Sequence, residues 1–261
     1  MLAAIAAARL RDISGTDEDW IMQTAVADAP ATAHHLLARC LASADGVEAG
    51  LQLVRSLTLA QRDWLLLLLH QRSFGHDIVG DVRCPSCHDV TGIRFHARDV
   101  VPTPPAPAPV TVALPSGRSV VIRPLTAGDH EYFASLGPLD ADAQRNAAAS
   151  RVVEPPLPDL SVEDQQVLAN AIEDGLPDPV HLDVTCEACG TKLTAPFDPG
   201  RFLLAELRAH SRALIDDVHL IAMSYHWSEN DILTLPLKRR LAYLDRIDAD
   251  LNRRIVLQEQ R

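Results

Sequence analysis

The side chains best suited to chemistry fall into two pairs. Cys84-Pro-Ser-Cys87 lies within VRCPSCHDV, and Cys186-Glu-Ala-Cys189 within LDVTCEACGTKL, far downstream. A thiolate is a soft ligand, and two C-x2-C turns can bring four of them around one tetrahedral metal ion at about 2.3 Å. The predicted site is a structural Zn2+ held by Cys84, Cys87, Cys186 and Cys189. Four thiolates complete the shell, whereas a catalytic zinc keeps an open position and commonly uses histidine or carboxylate ligands. Gly190 directly follows the second pair, where the chain must turn sharply without a Cβ. A redox C-x-x-C, a pair of disulfides and metal-free cysteines are the competing readings. His88 or His181 could also stand in as a ligand. The fifth cysteine, Cys40, lies in HHLLARCLA and reads as a small buried hydrophobe.

Two elements must carry each pair. DIVGDVR and HLDVT are strand-like runs leading in, and GIRFHA and KLTAPF are strand-like runs leading out. Two hairpins with cysteines at their tips make a zinc ribbon. Residues 1–79 read as helical, with Thr16 as an N-cap and Asp19 completing its capping box. Thr58 caps a Leu-rich helix, and Leu57, Leu65, Leu68 and Leu69 are expected to point inward. Between the pairs, VPTPPAPAPV (101–110) is a proline-rich linker, TVALPSGRSVVIRPLT a hairpin around Pro115-Ser-Gly117, and AGDHEYFASL a short helix. Residues 140–178 hold nine acidic and two basic side chains, supplying −7 of the net charge of −11. Ser161 begins a helix there with Asp164 at the capping-box position; the segment is a solvated acidic face or a dock for a basic partner.

From Asp198 the chain is helical again, with Leu203, Leu207, Leu214, Val218 and Ile221 expected on a shared face. Ser228 and Asp231 form another capping pair, and Pro236 suits the first turn of LKRRLAYLDRIDADLNRRI. Leu237, Leu241, Leu244, Leu251 and Ile255 form a packing seam that Asp248 interrupts. Lys238, Arg239 and Arg240 are a solvated face or a grip on an acidic partner, and Tyr225 and Trp227 close a packed corner or anchor a partner. The expected fold class is α+β and mainly α-helical: a helical body with an inserted lobe containing a zinc ribbon and a β-hairpin. The divisions are 1–79, an inserted lobe over 80–197, and 198–261 packing back on 1–79.

DVHLIAMSYHWSENDILTLPLKRRLAYLDRI (217–247) resembles the C-terminal part of phage baseplate assembly proteins of the T-even baseplate-hub type, and of their counterparts in extracellular contractile injection systems. The resemblance is carried by Ile221-Ala222, Tyr225-His226-Trp227-Ser228 with Glu229, Ile232-Leu233, Leu235-Pro236, Arg239-Arg240 and Tyr243-Leu244. A helical start, a middle bounded by C-x2-C pairs and this helical end are common in that family. The resemblance implies a non-catalytic assembly factor (a chaperone) or minor structural component of a contractile-tail baseplate. Its partners would then be other baseplate or tail proteins.

Composition narrows the alternatives. Hydrophobic residues make up 47% of the chain but aromatics only 4%, which disfavours a carbohydrate cleft or a base-stacking platform. A net charge of −11 opposes general affinity for nucleic acid or an anionic membrane. A nucleic-acid-binding ribbon is the alternative reading, resting on Arg83, Arg94, His96 and Arg98, although the second hairpin adds only Lys192. An enzyme is the third: H-E-x-x-H, G-x-S-x-G and Gly-rich phosphate-loop patterns do not occur, and His34-His35 and His70/His76 are the leftover candidates. The start, MLAAIAAARLRD, lacks basic residues before its apolar run, and WLLLLLH (64–70) is too short to span a bilayer. The expected location is the cytoplasm, with incorporation into an assembled particle.

Overall fold

The structure, a computed structural model, describes residues 9–24, 29–42, 50–96, 108–138, 140–156, 160–175 and 180–259. It is α+β and mainly helical, with small antiparallel sheets.

The body opens with a two-residue strand, β1 (Arg9–Leu10), and helix α1 (Gly15–Gln23). The cap of α1 is Ser14, not the expected Thr16: Ser14 N–H donates to Asp17 Oδ2 at 3.0 Å. Tertiary partners decide between the two overlapping boxes. Asp17 is fully buried and taken by Arg11 at 2.6 Å and Arg39 at 3.0 Å, whereas Asp19 stays exposed. Helix α2 (Ala29–Cys40) runs into β2 (Leu41–Ala42), which pairs with β1. Helices α3 (Leu51–Ser56) and α4 (Leu59–Ser73) follow, and Thr58 caps α4 as expected, exchanging bonds with Gln61. Leu57, Leu65 and Leu69 are buried and Leu68 partly so.

The first cysteine hairpin is β3 (Asp77–Arg83) with β4 (Val90–His96), antiparallel from Asp77 opposite His96 to Arg83 opposite Val90. The linker over 101–107 lies outside the described residues. Then β5 (Val110–Ala113) and β6 (Ser119–Ile122) form the expected hairpin, turning at Gly117 with φ +80. Helix α5 (Ala127–Ser135), α6 (Ala141–Val152), strand β7 (Val153–Glu154) on the edge of β6, and α7 (Val162–Asp174) complete the middle segment. Ser161 caps α7, but Asp164 does not return the bond to it: its carboxylate takes Ser116 N–H at 3.0 Å and Arg118 at 3.1 Å. Leu114, Val120, Ile122, Val152 and Leu168 make a second core beneath this small sheet.

The middle segment is also stitched to the body. Helix α5 packs on α2 and α3: Ala127 N–H donates to Leu57 O at 2.8 Å, and Leu59 N–H to Leu125 O at 3.2 Å. A Cβ on Gly128 would stand 3.2 Å from Arg55 O, so this contact needs glycine.

The second cysteine hairpin is β8 (His181–Thr185) with β9 (Lys192–Pro196). Helix α8 (Pro199–Ser211) then packs on α1, α2 and α4, burying Leu203, Leu204 and Leu207 with Leu36, Leu66 and Leu69. The expected shared face along 203–221 does not persist. The helix ends at Ser211, whose hydroxyl donates to Leu207 O at 2.7 Å, and a new helix, α9 (Leu214–Tyr225), starts two residues on. Ile221 and Val218 therefore join a third core, with Ile232 of α10 (Glu229–Leu233) and Ile247 of α11 (Leu237–Glu259). Ser228 and Asp231 form the predicted box, with Ser228 Oγ–H donating to Asp231 Oδ2 at 2.5 Å. Along α11, Leu237 is buried, Leu241 and Leu244 are half-buried and Leu251 is exposed; the Ile255 side chain lies outside the described residues.

Candidate metal centre

Each hairpin presents its cysteines on the same turn. In the first, Cys84 N–H donates to Asp89 O at 2.9 Å and His88 N–H to Cys84 O at 3.0 Å. In the second, Cys186 N–H donates to Thr191 O and Gly190 N–H to Cys186 O, both at 2.9 Å. Both turns close on a left-handed residue, Gly190 at φ +71 and His88 at φ +62. Glycine adopts that conformation at little cost, whereas a histidine gives up about 1 kcal/mol or more. His88 therefore holds a turn position and its side chain is exposed. His181 stands at the opposite end of its hairpin, paired with Pro196.

The four sulfurs all lie within 4.8 Å of one another, with Cys84 to Cys189 at 3.7 Å and Cys87 to Cys186 at 3.6 Å. A tetrahedron with metal–sulfur bonds of about 2.3 Å has edges of about 3.8 Å. The spacing fits a metal ion held by four thiolates, with His88 and His181 outside the cluster. Cys84 and Cys186 are buried, while Cys87 and Cys189 are exposed. Thr91 ties the hairpins together by accepting Glu187 N–H at 3.3 Å. The Thr191 hydroxyl, 3.2 Å from Cys189 Sγ, and then its backbone bring that thiol down to about 6. The amides of Cys189 and Ala188 lower Cys186. Cys87 is the exception: the Asp89 amide favours its thiolate, but neighbouring sulfurs and desolvation outweigh it and push the group up to about 12. Thiolates in contact confine a proton to one of their number, and a cation among them would release it.

The remaining predicted residues separate. Tyr225 and Trp227 are half-buried and pack with Tyr243, ring centroids 5.4 and 5.0 Å away, which forms a corner of the C-terminal core. Lys238 is exposed, its Nζ donating to Gln71 O at 3.2 Å, and Arg239 is exposed. Arg240 is neither part of a solvated face nor available to a partner. It is 0% exposed, with Nη2 2.5 Å from Glu18 Oε2 and Nε donating to Asp217 at 3.3 Å. Its acidic counterparts are within the chain. Burial drives the Glu18 carboxyl upward, against the pull of Arg240, and raises Asp217 in the same way.

His70 and His34, read from sequence as buried structural histidines, each meet one glutamate. His70 Nε2 lies 2.7 Å from Glu206, and His34 Nδ1 2.7 Å from Glu131, which also pairs with Arg55. Burial holds the His34 imidazole in its neutral form. The basic cluster of the first hairpin is partly engaged: Asp77 faces Arg94 and His96, and Arg83 donates to His88 O at 2.8 Å. Arg98 lies outside the described residues.

No family model, curated protein or solved structure matches the chain. Among the described residues, no helix is long and apolar enough to cross a membrane.

Proposed function

We propose that this protein is a non-catalytic assembly factor or minor structural component of a contractile-tail baseplate, with a structural Zn2+ bound by Cys84, Cys87, Cys186 and Cys189. The observation that carries the reading is the closed four-sulfur cluster at the tips of two hairpins. Zinc suits it because a d10 ion imposes no geometry beyond the tetrahedron and prefers such thiolate sets. When bound, the ion supplies a cross-link and no reactive position. The chain's own residues do the rest: the paired turns orient the sulfurs, Thr91 locks one hairpin to the other, and Thr191 and the local amides stabilise negative sulfur. The C-terminal pattern around Tyr225-His226-Trp227 supports the baseplate assignment. The exposed apolar side chains Ile215, Leu220 and Met223 on α9 offer a surface for protein partners. On this reading the protein works in the cytoplasm and is carried into the particle.

The test joins metal analysis to capture. Purified protein is expected to contain one zinc per chain, absent from Cys84→Ser/Cys186→Ser. Tagged wild-type protein expressed with a contractile-tail cluster is expected to co-purify baseplate subunits, and the double variant to lose them. A zinc-loaded protein that retains no tail subunit would refute the baseplate role. Tight, salt-sensitive DNA binding would favour the nucleic-acid reading.

A further inference from the structure

Where the first turns of α2 and α8 meet, the fold encloses a polar cavity of about 570 Å3. Its wall includes Pro30 and His34 of α2, Arg62 of α4, His130 of α5, and Gly200 and Arg201 of α8. His34 is 0% exposed, and its Nε2 has no hydrogen-bond partner among the described residues. Its Nδ1 is turned to Glu131, which is not among the residues lining this cavity. The Nε2 edge is therefore the one that faces in. A buried polar atom without a partner is uncommon, because its desolvation goes uncompensated.

The surroundings favour negative charge. Helices of 12 and 13 residues direct their N-terminal ends at the cavity, each carrying the positive pole of its dipole. The Arg201 side chain is exposed and forms no ion pair among the described residues. Arg62 is held in place by Asp63 at 2.6 Å and donates to His130 Nδ1. The nearby carboxylates already have cationic or N–H partners. Asp63 has Arg62, Glu131 has Arg55 and His34, and Asp198 Oδ1 accepts Arg201 N–H at 3.0 Å as the cap of α8.

We propose that this cavity binds a tetrahedral oxyanion of the phosphate type, either the free ion or a phosphoryl group on a larger molecule, held by Arg201 and the two helix starts and bonded to His34 Nε2. Phosphate suits that nitrogen because its last proton titrates near neutrality. Its P–OH can donate to neutral imidazole, or its oxygen can accept from the protonated ring. A carboxylate near neutral pH offers no such donor.

Calorimetric titration of the full-length protein with inorganic phosphate, ADP and O-phosphoserine tests the site, together with 15N spectra of the imidazole nitrogens. Saturable binding of at least one ligand is expected, with displacement of the His34 Nε2 resonance. Arg201→Ala, a change of an exposed side chain that should leave thermal stability intact, is expected to weaken binding about tenfold or more. The tightest of the three identifies the source as a free ion, a nucleotide or a phosphorylated partner. If none of the three saturates, the proposal falls. It falls equally if Arg201→Ala binds like wild type or the His34 resonance does not move.

Discussion

At the hairpin tips, four sulfurs from positions 84 to 189 face one another; where α11 meets α1, one guanidinium lies between two carboxylates. Both junctions join distant parts of the chain, and both gather charge in a small space. At the hairpin tips the like charges of thiolates oppose closure until a cation arrives. Once a structural zinc binds, it contributes on the order of 10 kcal/mol or more to folding. The Arg240 junction is neutralised from within, since Glu18 and Asp217 flank a side chain that water does not reach. The desolvation of these groups offsets much of their attraction, so the net gain is small although the cost of removing one partner is large. The cysteine junction thus depends on metal supply, whereas the buried one is always on.

The widest separation between the two should come from chelation. Metal removal, or Cys84→Ser/Cys186→Ser, is expected to unfold both hairpins, an effect on the order of 10 kcal/mol locally. Hydrogen exchange should show protection lost over 77–96 and 181–196 and retained in α4 and α8. Equal loss throughout would mean that the body depends on the clasp. Arg240→Ala comes next, at about 3–5 kcal/mol in urea denaturation, because it strands Glu18 in the interior. The paired change Arg240→Met with Glu18→Leu should recover most of that loss.

Asp129 supplies an intermediate case. Burial alone would raise its carboxyl, but Arg123 at 2.6 Å, Thr126 and Arg151 bring it down to about 2. A folded value below the unfolded 3.8 means stability present above that pH and lost as pH falls through about 2. Asp129→Asn should therefore cost about 2 kcal/mol at pH 7, and the gap to wild type should close in acid unfolding near pH 2. The smallest effect belongs to the neighbours of Arg240. Lys238→Ala and Arg239→Ala should each stay within about 0.5 kcal/mol of wild type. A larger shift in either would blur the contrast within this basic run.

Local chemistry explains which of these features were legible in the sequence. The cysteine pairs, the strands around them and the caps at Thr58 and Ser228 each depend on residues within a few positions of one another. Arg240 was unreadable for the opposite reason. In Lys-Arg-Arg the three cations look alike, and only the approach of α11 to α1 singles out the third. That approach is close: Leu237 N–H donates to Ile13 O at 2.8 Å, and a Cβ on Gly15 would stand 2.9 Å from the Leu233 backbone. The cap of α1 moved from Thr16 to Ser14 because Arg11 and Arg39 both reach Asp17. The break after Ser211 carries neither proline nor glycine to announce it. The cavity beside His34 needs four helices to exist at all, and neither HHLLARC nor HEYF hints that they meet.

The spacing of the cysteine hairpins also has a consequence in time. Cys87 and Cys186 are 99 positions apart, and a ribosome adds about 5–20 residues per second. For roughly 5–20 seconds after the first hairpin is made, a nascent chain therefore displays half a metal site. Cys84 and Cys87 then stand as an open dithiol while the sheet of β5, β6 and β7 is still being synthesised. The order of assembly is written into the chain: the acidic middle is threaded first, and only the arrival of Cys186 and Cys189 closes the ring around it.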